Sequence, residues 1–410
     1  MKKLYDSTAG RLFSLSRRKG APQALLVTAW FPPAVGGSCV LYENIYGWMA
    51  QERDVPVQVL TDEVLSPGAD GPFAGMQVQR RPIQTLEWGV TDFKGSMHHL
   101  SVVKRMRQLS RGQKTVIHTG RGLPEGLWAW ANRYLGGGAP YVCWAHGEEM
   151  SFCADSRELA MLMRPAYGGA AFCIANSKNS GSLLEGIGVP SKRIKVVYPG
   201  VNLDYFNPED HDGSAIRARY APNPDDILML TVGRLQRRKG HDMAIKAVAR
   251  LKDSHPNLKY VILSDGEERE NLQQLIDTHD LGDRVFLVGQ IEWADMPKYY
   301  AACDLFVMPN RDDGSDLEGF GIVFIEAQSM GVPVIGGRSG GVPEAVGEGE
   351  VGFLADGTDA EDIAHHIARL ADDEALRRRF GDAGKIRARR FTWQSAAQQV
   401  LDIHEAAAET

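Results

Sequence analysis

The sequence predicts an α/β protein of two doubly wound domains that face each other across a cleft. Three observations predict it. The chain has 410 residues, more than one core holds at about 150 residues per domain. Short apolar, β-branched or aromatic runs alternate with amphipathic stretches in two separate blocks, the pattern of parallel sheets covered by helices. Each block opens with the same passage: a strand, a glycine turn and an amphipathic helix. In open sheets of this kind ligands bind beyond the carboxyl ends of the strands. The two glycine turns would therefore face each other.

In the first block a strand at 24–28 runs into Phe31-Pro32-Pro33-Ala34-Val35-Gly36-Gly37-Ser38. A helix follows with Leu41, Ile45, Trp48 and Met49 at its apolar positions and Ser38 as its N-cap. Further strands are expected at 56–60, 115–118, 141–145 and 171–175. The stretch 198–213 holds Pro199, Gly200, Pro208, Asp210 and Asp212 and reads as a turn-rich linker. The second block opens with a strand at 227–232, turns at Gly233 and resumes as a helix after Gly240. Strands at 260–263, 285–288, 305–308 and 333–335 follow, again alternating with helices. A last helix opens at Phe391-Thr392, with Thr392 as N-cap and Trp393, Ala397 and Val400 on one face.

Composition excludes several classes. The 43% hydrophobic and 24% charged content is that of an ordinary soluble globular chain. No apolar run approaches the roughly 18 residues that span a bilayer, and a net charge of −6 is no footprint for general nucleic-acid binding. Five cysteines (Cys39, Cys143, Cys153, Cys173, Cys303) are odd in number, scattered and without a C-x-x-C pair. That pattern argues against a disulfide framework or zinc ribbon and for a reducing, cytoplasmic compartment. The first twenty residues carry Lys2, Lys3, Arg11, Arg17, Arg18 and Lys19 against Asp6, but lack the apolar core of a secretory signal. With Leu4, Leu12, Phe13 and Leu15 among them, they would suit an anionic membrane surface; the alternative is a solvated tail. A second basic stretch holds His98, His99, Lys104, Arg105, Arg107, Arg111 and Lys114, with Leu100, Val103 and Met106 between. Together they leave open a peripheral position at the inner face of the membrane.

Two segments carry chemistry. Gly233-Arg234-Leu235-Gln236-Arg237-Arg238-Lys239-Gly240 lies between a strand and a helix. Free backbone N–H groups and the helix dipole favour an anion there, and Arg234 or Lys239 would meet a diphosphate. The alternative is a solvated basic loop. In Asp316-Leu317-Glu318-Gly319-Phe320-Gly321-Ile322-Val323-Phe324-Ile325-Glu326-Ala327, two carboxylates stand eight positions apart across a glycine turn that opens a helix. Up to about 12 Å of axial separation is too much for a glycosidase acid–base pair, which needs about 5 to 10 Å. It suits two carboxylates gripping hydroxyls at opposite ends of an extended ligand. The amides of Phe320, Gly321 and Ile322 would be free for phosphate.

E-G-F-G-x-x-x-x-E, with G-R-L-x-x-x-K-G upstream, F-P-P-x-x-G-G near the start and G-G-V-P-E downstream, resembles family 4 of the retaining glycosyltransferases. The motifs appear in the family's order over about residues 24 to 405. The resemblance implies the GT-B fold: two facing Rossmann-like domains, 1–205 on the acceptor side and 206–391 binding the nucleotide sugar, with 392–410 crossing back to the first. It implies that Arg234 and Lys239 hold the diphosphate and stabilise charge on the leaving group. Glu326 would accept from the ribose hydroxyls and Glu318 from the donor sugar. Gly36 and Gly37 would let amides approach phosphate or sugar, and Gly319, Phe320, Gly321 and Ile322 would line the donor. His146 would face the transferred sugar and Ile291 the base. No metal or other cofactor is expected, and no D-x-D is placed to carry a metal. The run 315–324 most resembles mannosyltransferases that use GDP-mannose, including those acting on phosphatidylinositol mannosides. The implied activity moves a hexose, mannose favoured, to a hydroxyl of a glycan or lipid-linked acceptor. UDP-glucose and UDP-N-acetylglucosamine stay open as donors. Two departures stand out: Ser264 where a glycine is usual, and an acidic loop from Arg311 to Asp316, read as a polar loop because the closing glutamate of a calcium loop is absent.

Other patterns in the sequence compete with this resemblance. Gly337-Arg338-Ser339-Gly340-Gly341 fits a hydrolase elbow, with Asp356 and His365 downstream, but Gly341-Val342-Pro343 delays the helix. Gly347-x-Gly349-x-x-Gly352 fits a dinucleotide pattern, but no strand precedes it and Phe353-Leu354 follows, so it reads as a loop. His146 with Cys143 and Cys153 matches no zinc spacing. A same-fold UDP-sugar epimerase and a non-catalytic sugar-nucleotide binder are the remaining alternatives.

Overall fold

The computed structural model describes residues 21–34, 36–83, 93–154, 156–314 and 316–410. The basic leader, Val35, Ser315 and the side chain of Cys153 fall outside the described residues. Among those described, the first sheet contains β1 (Gln23–Thr28), β2 (Val57–Asp62), β3 (Gly71–Phe73), β4 (Met76–Arg81), β5 (Thr115–Thr119), β6 (Tyr141–Ala145), β7 (Phe172–Ala175) and β8 (Ile194–Val196). They lie in the order β3-β4-β2-β1-β5-β6-β7-β8. Only β3 runs antiparallel, against β4. The second sheet contains β9 (Ile227–Val232), β10 (Leu258–Leu263), β11 (Val285–Gly289), β12 (Leu305–Met308), β13 (Val334–Gly337) and β14 (Gly352–Ala355), in the order β11-β10-β9-β12-β13-β14. Its pairs are all parallel.

Helices cover both faces, so the central strands are apolar throughout instead of alternating. Every residue of β1, β5, β6 and β9 is buried. The strand order reverses beside β1, whose neighbours are β2 and β5, and beside β9, whose neighbours are β10 and β12. A crevice forms where neighbouring crossovers leave in opposite directions. The segments that matter leave the sheets at these two points: 31–37 after β1, 120–126 after β5, 233–240 after β9 and 309–321 after β12.

The expected strands are all present, within two residues at their ends. Four more appear. β4 has buried Met76 and Val78 between exposed or half-buried Gln77, Gln79 and Arg81, an alternation hidden by its polar half. β3 and β8 have three residues each, too short for periodicity to register. The glycine-rich stretch 347–352 is indeed a turn, but it delivers the chain into buried β14. Ser38 is not an N-cap. The first helix runs Gly37–Glu52, and Gly36 caps it without a side chain.

The last helix, Trp393–Ala407, begins at Thr392, whose hydroxyl accepts from the Ser395 amide at 3.2 Å. Its Trp393, Ala397, Val400 and Ile403 share a core with Leu26, Tyr42, Ile45 and Tyr46 of the first domain. A buried hydrogen-bond chain adds to that contact. Trp144 Nε1 donates to Tyr46 Oη (2.9 Å), which meets His118 Nδ1 (2.9 Å); His118 Nε2 meets His404 Nδ1 (2.9 Å), and His404 Nε2 meets the Pro22 carbonyl (3.1 Å). An indole only donates and a carbonyl only accepts, so every proton in the chain points towards Pro22. The chain thus returns to the first domain. Val201, leaving it, pairs with Thr392, arriving. Among the described residues no helix is long and apolar enough to cross a membrane.

Candidate active site

The basic turn after β9 is a single 3-10 turn, Arg237–Lys239, closed by Gly240. Gly240 has φ 74°, and a Cβ there would stand 2.1 Å from the Pro309 carbonyl oxygen. Only glycine lets the β9 and β12 loops approach so closely. Once they do, their charges pair. Lys239 Nζ lies 2.5 Å from Glu318 Oε2, Arg238 Nη1 2.8 Å from the same atom, and Asn310 Nδ2 donates to it at 3.2 Å. Arg238 Nε also lies 2.9 Å from Asp316 Oδ2. Three donors therefore converge on Oε2, while Glu318 Oε1 has no partner among the described residues. Burial alone would raise the Glu318 pKa, but Lys239 and Arg238 overrule it and hold the carboxylate below its usual range. Burial pulls Lys239 down despite Glu318. Arg234 stands apart: it is exposed, and its side chain makes no hydrogen bond or ion pair among the described residues.

The turn Glu318–Gly321 leads into the helix Ile322–Ser329. Gly321 adopts φ 89°, and a Cβ on Gly319 would stand 2.4 Å from the His146 carbonyl oxygen. Gly319 is thus where the second domain touches the first. The Phe320 side chain is buried against Tyr198 and Phe391 at 5.5 and 5.8 Å between ring centroids, so only its amide is available to a ligand. The amides of Phe320, Gly321 and Ile322 donate to no acceptor among the described residues. Glu326 is only 6% exposed, and Tyr300 Oη donates to its Oε2 at 2.9 Å. Burial pushes its carboxyl up to about 7. Ile291, just beyond β11, is half-buried against the core of the second domain.

The facing wall belongs to the first sheet. An added Cβ on Gly36 or Gly37 would meet nothing within 4 Å, so the protein's own packing does not require glycine there. His146 follows β6. Its Nε2 lies 2.8 Å from Tyr42 Oη and 3.0 Å from the Gly120 carbonyl, and Tyr42 Oη donates to that carbonyl at 2.7 Å. A carbonyl can only accept, so Nε2 carries the proton and Nδ1 is left as an acceptor. Burial lowers the His146 pKa and keeps the ring neutral. Its main-chain N–H donates to Glu149 Oε1 at 2.8 Å. Arg121, just after β5, is half-buried; its side chain makes no hydrogen bond among the described residues, but Glu125 and Glu149 stand close enough to hold its charge. The two walls share one space: burial pushes the Cys39 thiol up to about 11, while Arg121 from one wall and Arg234 from the other both pull it down.

Lys239, Glu318, Gly319 and His146 are therefore brought together directly, and Glu326 lies one helix further in. Arg238, Asn310, Asp316, Tyr300 and Arg121 were not singled out from the sequence. Arg238 had a signal, since it adjoins Lys239 in the basic turn. The acidic loop had one too: Asp313 and Asp316 match Arg237 and Arg238 in charge, at 3.7 and 2.9 Å. The hydrolase alternative fails on geometry. Ser339 Oγ donates to Asp312 at 2.6 Å, Asp356 is occupied by Thr358, and the next helix starts only at Val342. Among the described residues no group of His, Cys, Asp and Glu could hold a metal.

Two facing doubly wound domains, a returning last helix and a charged cleft at both switch points define the GT-B class of glycosyltransferases. Residues 35–205 match the family model described as Glycosyltransferase Family 4, and residues 212–387 the model described as Glycosyl transferases group 1. The chain is a glycosyltransferase, and its two halves belong to these two families. A GDP-mannose-dependent alpha-(1-6)-phosphatidylinositol monomannoside mannosyltransferase of Mycobacterium tuberculosis is 28% identical over 391 residues, covering 93% of this chain and 97% of that one. A D-inositol 3-phosphate glycosyltransferase of Streptomyces avermitilis is 36% identical over 247 residues, 57% of this chain and 51% of that one. Among solved structures, Anabaena HepE in complex with UDP aligns over 93% of this chain and 99% of its own at 22% identity, TM-score 0.76. Sucrose-phosphate synthase of Thermosynechococcus elongatus aligns over 93% and 98% at 23% identity, TM-score 0.74. At such identities the structural likeness establishes the fold.

Proposed function

We propose that this glycosyltransferase moves mannose from GDP-mannose to a hydroxyl of a glycan or lipid-linked acceptor, with retention at the anomeric carbon. The observation that carries the reading is the cluster in which Lys239 and Glu318 meet Gly319 against His146. The mannosyltransferase relative, aligned over nearly its whole length, supports the choice of sugar and nucleotide. Arg234 and Lys239 hold the diphosphate, helped by the amides of 320–322 and by the first-helix N-terminus at Gly36 and Gly37. Glu326 accepts from the ribose, Glu318 from the sugar, Ile291 lies by the base and His146 by the transferred sugar. Cations do the work of a metal, so none is required.

The bond from the anomeric carbon to the β-phosphate oxygen breaks, and the bond to the acceptor oxygen forms on the same face. The acceptor hydroxyl gives its proton to the departing phosphate. Closure of the two domains excludes water and limits donor hydrolysis.

Part of the second basic stretch is spent internally. His98 meets the Ile83 carbonyl, Trp128 donates to His99, and Arg107 donates to the Gly136 carbonyl. The helix Phe93–Leu109 nevertheless exposes Lys94, Met97, Leu100 and Lys104, a mixed basic and apolar face that supports a peripheral place on an anionic membrane. Incubation with GDP-mannose and anionic phospholipid extracts tests the reading. A mannosylated lipid with an α-linkage is expected; a β-linked product, or transfer from UDP-glucose alone, contradicts it.

A further inference from the structure

We propose that Arg238 is a positioning residue that holds the sugar-facing carboxylate Glu318, and that Lys239 exchanges Glu318 for the diphosphate when the donor binds. The proposal rests on the reading of Lys239 and Glu318 given above. The two cations are held differently. Lys239 has one charged partner, Glu318 Oε2. Arg238 has two, Glu318 and Asp316, and its own carbonyl accepts from the Arg311 amide at 2.9 Å. Arg311 is tied in turn to Asp242 at 2.9 Å. A guanidinium can hold two carboxylates at once in a fixed plane, whereas an ammonium on a four-carbon stem is a mobile point charge. Arg238 is anchored, and Lys239 is the one free to leave.

Charge balance leads to the same exchange. Arg238 and Lys239 face Asp316 and Glu318, two positive against two negative, so the cluster is neutral by itself. A diphosphate adds negative charge beside Lys239, and moving one cation towards it leaves Arg238 and Asn310 on Glu318 Oε2. That keeps the buried carboxylate ionised and compensated. It also leaves Oε1, which has no partner among the described residues, to accept hydroxyls of the sugar. Without Arg238, Lys239 could leave only by stranding a buried carboxylate.

The experiment compares binding of GDP with GDP-mannose, and of UDP with UDP-glucose in parallel, by calorimetry. The proteins are the full chain and its Arg238→Gln, Arg238→Lys, Glu318→Gln and Arg238→Gln/Glu318→Gln variants. Arg238→Gln should lower the ratio of sugar-nucleotide to nucleotide affinity about tenfold, the scale of one charge-assisted hydrogen bond. Arg238→Lys should restore part of it, and the double variant should bind no more weakly than Glu318→Gln. Equal losses for nucleotide and sugar nucleotide would make Arg238 a phosphate ligand and overturn the proposal, as would no loss at all. An unchanged ratio in Glu318→Gln would instead overturn the reading of Glu318 as the sugar ligand.

Discussion

Glu326 is a carboxylate held where water is scarce, with Tyr300 as the one donor to its carboxylate among the described residues. Its pKa rises from 4.5 to about 7 because burial penalises the charged form. A folded-state pKa above the unfolded one contributes stability that is full below about 4.5 and is lost as pH rises through about 7. Glu326→Gln should therefore remove roughly 3 kcal/mol of pH-dependent loss between pH 5 and 8. Urea titrations of both proteins across that range check it, and parallel curves would contradict it. Ser264 shows how a departure in the sequence becomes a cost in the fold. It stands where glycine is usual and has φ 97°, a strain of about 1 kcal/mol or more for a side chain with a Cβ. Gly266 beside it admits no Cβ, which would stand 2.5 Å from the Leu235 carbonyl oxygen. Lys239, Glu318 and Glu326 were legible as candidate site residues because each sits in a motif. Their partners were not: Arg238 and Glu318 are 80 positions apart, and only the loops beyond β9 and β12 bring them together. Tyr300 carries no local signal at all.

Buried strands announce themselves by continuous apolar runs, and β1, β6 and β9 were read from theirs. Strands such as β4 and β14 were not, because half the residues of β4 are polar and the lead-in to β14 is glycine-rich. The last helix was legible as a helix from Thr392 onward, and its crossing back to the first domain came only from the family resemblance. In the fold that crossing rests on apolar packing and on the chain from Trp144 to Pro22. Burial pushes His404 down to about 4 and His118 well below the usual range, so both rings are neutral links. Replacing His404 by Ala leaves a buried N–H and a carbonyl unsatisfied and opens a cavity. We expect a loss of about 2–4 kcal/mol, with hydrogen exchange speeding up first in Trp393–Ala407. Unchanged protection of that helix would show that the chain does not fasten it.

The two domains meet at few but specific points. Glu344, from the G-G-V-P-E motif, accepts from the amides of Lys178 and Asn179 at 2.9 and 3.1 Å and from Tyr198 Oη at 2.7 Å. It thereby caps a helix of the other domain. Gly319 presses on His146 nearby, and the linker at Val201 runs beside the return at Thr392. These contacts set the two switch-point crevices against each other across the cleft. Ligand that binds only the folded state raises stability by RT ln(1 + [L]/Kd), about 2.7 kcal/mol at 100 times Kd. The most direct measurement is a thermal-shift panel of GDP, UDP, ADP and their common sugar conjugates on the full chain and on Lys239→Ala. A rise with GDP and GDP-mannose is expected, and Lys239→Ala should lose it. A rise with UDP compounds alone would contradict the donor assignment, and no rise with any nucleotide would contradict the cleft as a donor site.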